Sequence, residues 1–210
     1  ELKPTTSYML DLGANIDCDV DNLCQFAVMG TVLAQKMKKI RSPRVKLLNI
    51  GSEEFKGLDV IKDTALELEQ MDKVNYKGYI EANEIYFDAA DVIVCDGFIG
   101  NIALKSSEGL AKYISSVAKV TAKGRWYYKP MLWIGYMFLF PVLHNLKVKL
   151  DLRRYNGASL LGLKGVVVKS HGNADKVGFE TAVLEAVNEA KNDIPSQISA
   201  ILEKRLKVDG

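Results

Sequence analysis

With 210 residues, 48% of them hydrophobic and 26% charged, the chain has the length and balance of a folded globular protein with a substantial core, which excludes a disordered or fibrous polymer. Its net charge of +2 singles out no class of partner. Three cysteines (Cys18, Cys24, Cys95) without a Cys-x-x-Cys pair, and two histidines (His144, His171), fall short of a metal-ligand pattern. No metal and no cofactor is expected, and the cysteines read as small buried hydrophobes. The odd cysteine count and the lack of a secretory leader point to a reducing cytoplasm.

Along the chain, strands and helices alternate. Ser7 to Leu12 reads as a strand, followed by a helix from about Asp21 to Lys39 with Leu23, Phe26, Ala27 and Gly30 on one face. A second strand is expected over Arg44 to Ile50, a helix near Leu58 to Met71, a third strand over Val74 to Ile80 and a short apolar strand over Asp91 to Cys95. A helix from about Ile102 to Lys119 comes next. The apolar run Gly165 to Lys169 predicts another strand, Ala174 to Lys191 another helix, and a last helix follows Pro195. Continuously apolar strands are usually covered on both faces. The chain therefore reads as a single α/β domain over 1–210, with a mainly parallel sheet and helices on both faces.

Four strands end in polar turns with glycine: LDLGAN (10–15), LLNIGSEE (47–54), VCDGFIGN (94–101) and VVVKSHGNAD (166–175). In an open parallel sheet such turns share the carboxyl edge, where ligands bind. Gly97 and Gly100 permit close backbone approach, Asn101 suits the cap of the following helix, and free N–H groups there attract an anion. Lys105 follows one helical turn later, where a cation opposes the helix dipole unless a negative ligand is present. Gly97, Gly100, Lys105 and Lys169 are thus candidate phosphate ligands. The alternative is that Asp96 and Asn101 merely close a turn and Lys105 is solvated. The spacing matches neither a Walker A loop nor Gly-x-Gly-x-x-Gly.

His171, at a strand end, is a candidate for a titrating or phosphate-contacting role beside a purely structural one, with Lys169 on the same side of its strand. Asn15 and Asn49 are placed at the substrate edge. Asp17, Asp19 and Asp21 read as capping and Asx-turn residues, and Glu53 and Glu54 as first-turn helix charge.

The remaining segment above background is a hydrophobic and basic insertion over 119–154. It carries eight basic residues against a single acid, Asp151, and no charge between Lys129 and His144. That apolar run is shorter than the roughly 20 residues needed to cross a bilayer. Aromatic residues beside basic flanks predict a segment resting at a membrane surface, with Trp126, Trp133, Phe138 and Phe140 as contacts for membrane or carrier protein. A dimer or intrachain packing surface, and a deeply inserted hairpin broken at Pro141, are the alternatives. The basic cluster lacks a nucleic-acid recognition motif, so no nucleic-acid partner is expected.

The motifs LDLGAN, QFAVMG (25–30), PRVKLLNIGSEEFKG (43–57), ADVIVCDGFIGNIALKSSEGLA (90–111) and GASLLGLKGVVVKSHG (157–172) resemble those of the bacterial phosphate acyltransferase family. They extend over most of the chain in one order, and are weakest over 120–150. The resemblance implies a fold of the phosphotransacetylase and isocitrate dehydrogenase type. It implies transfer of a fatty acyl group from acyl-acyl carrier protein to inorganic phosphate, giving acyl phosphate for phospholipid synthesis. It also implies a peripheral membrane homodimer in the cytoplasm that supplies a membrane acyltransferase. Family members carry an additional N-terminal segment with its own phosphate-site loop, which is expected to be lacking here.

On that reading, phosphate attacks the thioester directly and no enzyme nucleophile is needed. Asp96, Asn101, Lys105 and His171 become the catalytic candidates. Lys105 and the Gly97–Gly100 amides hold phosphate, Asn101 donates to the oxyanion, His171 orients phosphate or protonates the thiolate, and Asp96 aligns Lys105 or His171. A phosphotransacetylase-like enzyme using coenzyme A and a non-catalytic membrane-associated fragment are the competing readings.

Overall fold

The computed structural model describes residues 7–123, 137, 139–141 and 156–206. In chain order these form β1 (Tyr8–Leu10), α1 (Val20–Met37), β2 (Arg44–Leu48), α2 (Asp59–Glu69), β3 (Asn75–Ile80), a 3-10 turn (Ala82–Glu84), β4 (Val92–Val94), α3 (Gly97–Lys123), β5 (Ala158–Ser159), β6 (Val168–Lys169), α4 (Lys176–Lys191) and α5 (Ile194–Leu206). The packing separates two compact units, Glu1–Leu104 with Ser159–Val167 and Ala186–Gly210, and Lys105–Ala158 with Val168–Glu185.

In the first unit, four strands form a wholly parallel sheet in the order β1-β4-β2-β3. The chain moves across the sheet in one direction through α1 and α2, then returns from β3 to β4. Crossovers between parallel strands are right-handed, so reversing direction puts the connection on the other face. The burial follows that rule. Val45, Leu47, Val92 and Val94 pack with α1, α2 and α5 through Leu23, Val28, Val32, Ile61, Leu68, Ile194 and Ile198. On the opposite side Leu48, Ile80, Ile93 and Cys95 pack with Ile85, Ala89 and Ala90 of the return connection.

Helix α1 is buried continuously from Leu23 to Ala34 apart from Gln25. A helix apolar all round belongs inside, and α1 packs against β1, β4, α2 and α5. Asp19 caps it as expected, accepting from Asn22 N–H at 2.8 Å while Asn22 Oδ1 accepts from Asp19 N–H. Helix α2 instead buries one stripe, Ile61, Thr64, Ala65 and Leu68. Glu53 and Glu54 precede α2 and are not first-turn helix charge; Glu53 meets Lys56 at 2.7 Å within the preceding loop.

Strand β3 carries an irregularity. Val45 pairs with Tyr76 but Leu47 with Tyr79, so two steps on β2 face three on β3. The extra residue is accommodated at Gly78, whose φ of +76° suits glycine. Tyr76 and Tyr79 consequently both pack into the α1/α2 core. The Tyr76 hydroxyl is buried there without a hydrogen-bond partner among the described residues, and burial pushes its pKa up. Tyr76→Phe is therefore expected to raise stability by about 1 kcal/mol, read as a higher urea midpoint at unchanged slope.

Three expectations are corrected. The run Gly165 to Lys169 is not a buried strand: only Val168 and Lys169 are extended, they lie outside the four-stranded sheet, and Val167 is 42% exposed. Its Leu160 N–H to Val167 C=O bond of 2.9 Å closes a small loop, which Ser159 ties to the buried Glu189 carboxylate. Helix α3 begins at Gly97 rather than near Ile102. Helix α5 begins at Ile194, with Pro195 in its first turn, where a missing N–H costs nothing.

Candidate functional site

Because β1, β4 and β2 are neighbours, the loops after Leu10, Val94 and Leu48 emerge side by side on the sheet's carboxyl edge. Three of the four glycine turns therefore share one edge. The fourth follows β6, which is not a strand of that sheet, so the expectation of four turns on one edge is corrected to three.

The loop after β1 is organised by Asp11. Its carboxylate accepts from the N–H groups of Gly13 and Ala14 at 2.9 Å, from Asn15 N–H at 2.7 Å and from Asn15 Nδ2 at 2.9 Å. Burial alone would raise the Asp11 pKa; these donors outweigh it and hold the carboxyl below its ordinary value. The amide of Asn15 is thus committed to the loop.

The N-terminal turn of α3 lies directly on that loop. Gly97 N–H donates to Asn15 C=O at 2.8 Å and Gly100 N–H to Asp96 C=O at 3.0 Å. A Cβ on Gly100 would stand 1.8 Å from Asp11 O, and one on Gly97 would stand 2.6 Å from Asn15 O. The close approach that these glycines permit is that of the chain's own Asp11–Asn15 segment. Asp96, not Asn101, caps the helix, accepting from Ile99 N–H at 2.8 Å. Asn101 instead sits within α3, exposed, with no hydrogen bond from its side chain to another described residue. It neighbours the loop: a Cβ on Gly13 would meet Asn101 Cβ at 3.5 Å. Beneath the turn, Cys95 is buried and its thiol, pushed up to about 12 chiefly by burial, contacts Asp11 C=O at 3.4 Å. It packs as a small hydrophobe.

Asn49 is buried after β2 and uses both ends of its amide locally. Nδ2 donates to Lys56 C=O at 3.0 Å and Oδ1 accepts from Ile50 N–H at 2.9 Å. Exposed apolar side chains surround this edge, with Ile16, Ile50, Phe55, Phe98 and Ile102 all open to solvent. A cleft of about 640 Å³ opens at the other end of the sheet, between Arg41, Pro43, Met71 and Asn75, and none of the candidate residues lines it.

The other candidates belong to the second unit. Lys105 is exposed and its Nζ lies 3.3 Å from Glu108 Oε2. Lys169 ends β6 and is exposed, and His171 lies beyond that strand, so the two do not share a strand face. His171 is held by a residue that the sequence reading missed, Asn156, whose Oδ1 accepts from His171 N–H at 2.9 Å. Only its position just before the GASLLG motif could have signalled it. Trp126, Trp133 and Phe138 lie outside the described residues; Phe140 is half-exposed. Among the described residues no helix is long and apolar enough to cross a membrane.

A family model described as "Fatty acid synthesis protein" matches residues 2–197. The chain belongs to that family. Proteins named phosphate acyltransferase from Francisella tularensis subsp. novicida (strain U112) and subsp. tularensis (strain WY96-3418) are each 50% identical to this member over 200 residues, covering 95% of it and 57% of their own length. This fatty acid synthesis family chain thus spans little more than half the length of those relatives.

Proposed function

We propose that the chain carries out, or forms part of a protein that carries out, transfer of a fatty acyl group from acyl-acyl carrier protein to inorganic phosphate. The fold is inferred to be of the phosphotransacetylase and isocitrate dehydrogenase type, with helices on both faces of the sheet. The observation that carries the reading is the exposed Asn101 amide, unengaged by other described side chains and seated against the Asp11–Asn15 loop at the sheet's carboxyl edge. The 50% identity to proteins named phosphate acyltransferase supports it.

The amides of Gly97 and Gly100 are spent within the chain, so those glycines shape the turn and leave phosphate to other donors. Asn101 donates to the carbonyl oxygen as it becomes an oxyanion, and the remaining positive end of α3 favours the phosphate. Lys105 supplies the compensating cation, His171 orients the phosphate by donating a hydrogen bond to it, the thiol leaves as its thiolate, and Lys169 adds positive charge. Asp96 fixes the helix start, which sets where Asn101 stands. The Asp11 and Asp96 carboxylates oppose an anion nearby, although both are occupied as acceptors, so phosphate binding is expected to be weak.

Peripheral membrane attachment, handing acyl phosphate to a membrane acyltransferase, and a homodimer complete the reading. Support for the membrane surface comes from Leu110, Tyr113, Ile114 and Val120 of α3, all exposed, ahead of the basic aromatic segment.

Trapping acyl phosphate as hydroxamate after incubation with acyl-carrier thioester and phosphate tests the proposal. Phosphate-dependent thiol release is expected. Activity with coenzyme A thioesters alone would overturn it, as would silence from both the folded chain and a longer protein that contains it. Lys105→Ala is expected to raise the KM for phosphate about tenfold with little change in kcat.

A further inference from the structure

We infer that Asn156 is a positioning residue for His171. The inference rests on the hydrogen-bond-donating role given to His171 in the proposed function. One carboxamide ties together three points of the turn that carries this histidine. Asn156 Oδ1 accepts from His171 N–H at 2.9 Å, while Nδ2 donates to Ser170 Oγ at 2.9 Å and to Gly178 C=O, in the first turn of α4, at 2.8 Å. Asn156 is half-buried, as are its bonds to Ser170 and Gly178, while its bond to His171 N–H is exposed.

The turn is closed by further bonds. Ala174 N–H donates to His171 C=O at 3.0 Å, and Asn173 N–H points at His171 Nδ1 at 3.3 Å. Asp175 Oδ1 accepts from Gly178 N–H at 2.9 Å. Nδ1 thus acts as an acceptor, which leaves the proton of the neutral ring on Nε2, the nitrogen able to donate to a substrate atom. The following residue, Gly157, has φ of +115°, and a Cβ there would stand 3.1 Å from both Ala182 Cα and Val168 Cγ1. The Asn156–Gly157 backbone is therefore pressed against α4 and β6, and its amide is a fixed reference for the turn.

Only an uncharged amide meets this demand. The position requires one acceptor and two donor contacts at once, and a carboxylate there would set an oxygen against the Gly178 carbonyl. The imidazole itself is exposed, so its orientation depends on the turn rather than on packing.

Two readouts test the inference in the full chain. Imidazole 15N–1H spectra, with His171→Asn used to separate the signals from His144, are expected to show Nε2–H for wild-type His171. Asn156→Ala is expected to mix the two tautomers and to speed Asn173 amide exchange about tenfold. Asn156→Asp, which keeps the acceptor for His171 N–H, is expected to fall between. In turnover, Asn156→Ala should lower kcat about tenfold or more with both KM values within about twofold. The same substitution in a His171→Ala background should leave kcat unchanged. An unaltered imidazole spectrum in both Asn156 variants overturns the inference, as does an equal loss of kcat with and without His171. If His171→Ala alone leaves kcat intact, the role assigned to His171 falls, while the spectra still decide whether Asn156 sets its tautomer.

Discussion

Replacing Gly100 with alanine is expected to lower stability by about 3 kcal/mol, the upper end of overpacking costs. The added methyl would lie 1.8 Å from Asp11 O and 3.0 Å from Cys95 Sγ. The first of these is backbone, held in place by the four donors to the Asp11 carboxylate and by the Asp11 N–H bond of 2.8 Å to Cys95 C=O. Relief therefore requires α3 to move away from the loop, which also displaces Asn101. Stability and hydroxamate formation should fall together. Gly109, further along α3, provides the opposite sign: among the described residues nothing lies within 4 Å of a Cβ there. Gly109→Ala should raise stability by about 0.5–1 kcal/mol through helix propensity alone. Urea unfolding of both variants checks the pair, and equal midpoints would show that the two glycines do not differ in surroundings as described.

Asp91→Asn is expected to cost about 2 kcal/mol at neutral pH. At the amino ends of β2 and β4, the Asp91 carboxylate accepts from Arg44 N–H at 2.7 Å, Nε at 3.0 Å and Nη2 at 3.1 Å. Asp88 shares the same guanidinium at 2.5 Å. Burial would raise the Asp91 pKa, but the hydrogen bonds from Arg44 outweigh it and hold the carboxyl below the ordinary carboxylate value. A depressed folded-state pKa means that the contribution is complete above the unfolded-state value of about 3.9. It then disappears as pH falls through the lower folded-state value. The difference between wild type and variant should accordingly be full at pH 7 and contract in acid. A difference independent of pH would place the effect in packing rather than in charge.

The elements that were legible in sequence are those in which one local signal dominates. The apolar run around QFAVMG made α1 plain, and Val92 to Val94 made β4 plain, because their burial is nearly complete on every side. The start of α3 was not legible. Glycines at 97 and 100 read as turn formers, and only tertiary contact with Asp11–Asn15 explains why a helix tolerates both. The same pair did announce a close approach, but sequence cannot say whether a ligand or the chain itself approaches. The run GVVV was ambiguous for a different reason: an apolar stretch of that length carries no periodicity to separate a buried strand from a surface loop. Asn156 was invisible, since its partners lie 14 to 22 residues away and an isolated amide has no motif.

The extra residue in β3 has a directional consequence. Side chains alternate along a strand, so Tyr76 and Tyr79, three positions apart, would face opposite sides of a regular β3, and the residue absorbed at Gly78 turns both to one side. Removing Gly78 would restore even pairing and leave the two rings on that same face, two positions apart. One small residue therefore acts as a phase shifter, giving two aromatic rings a common address that strict alternation would deny them.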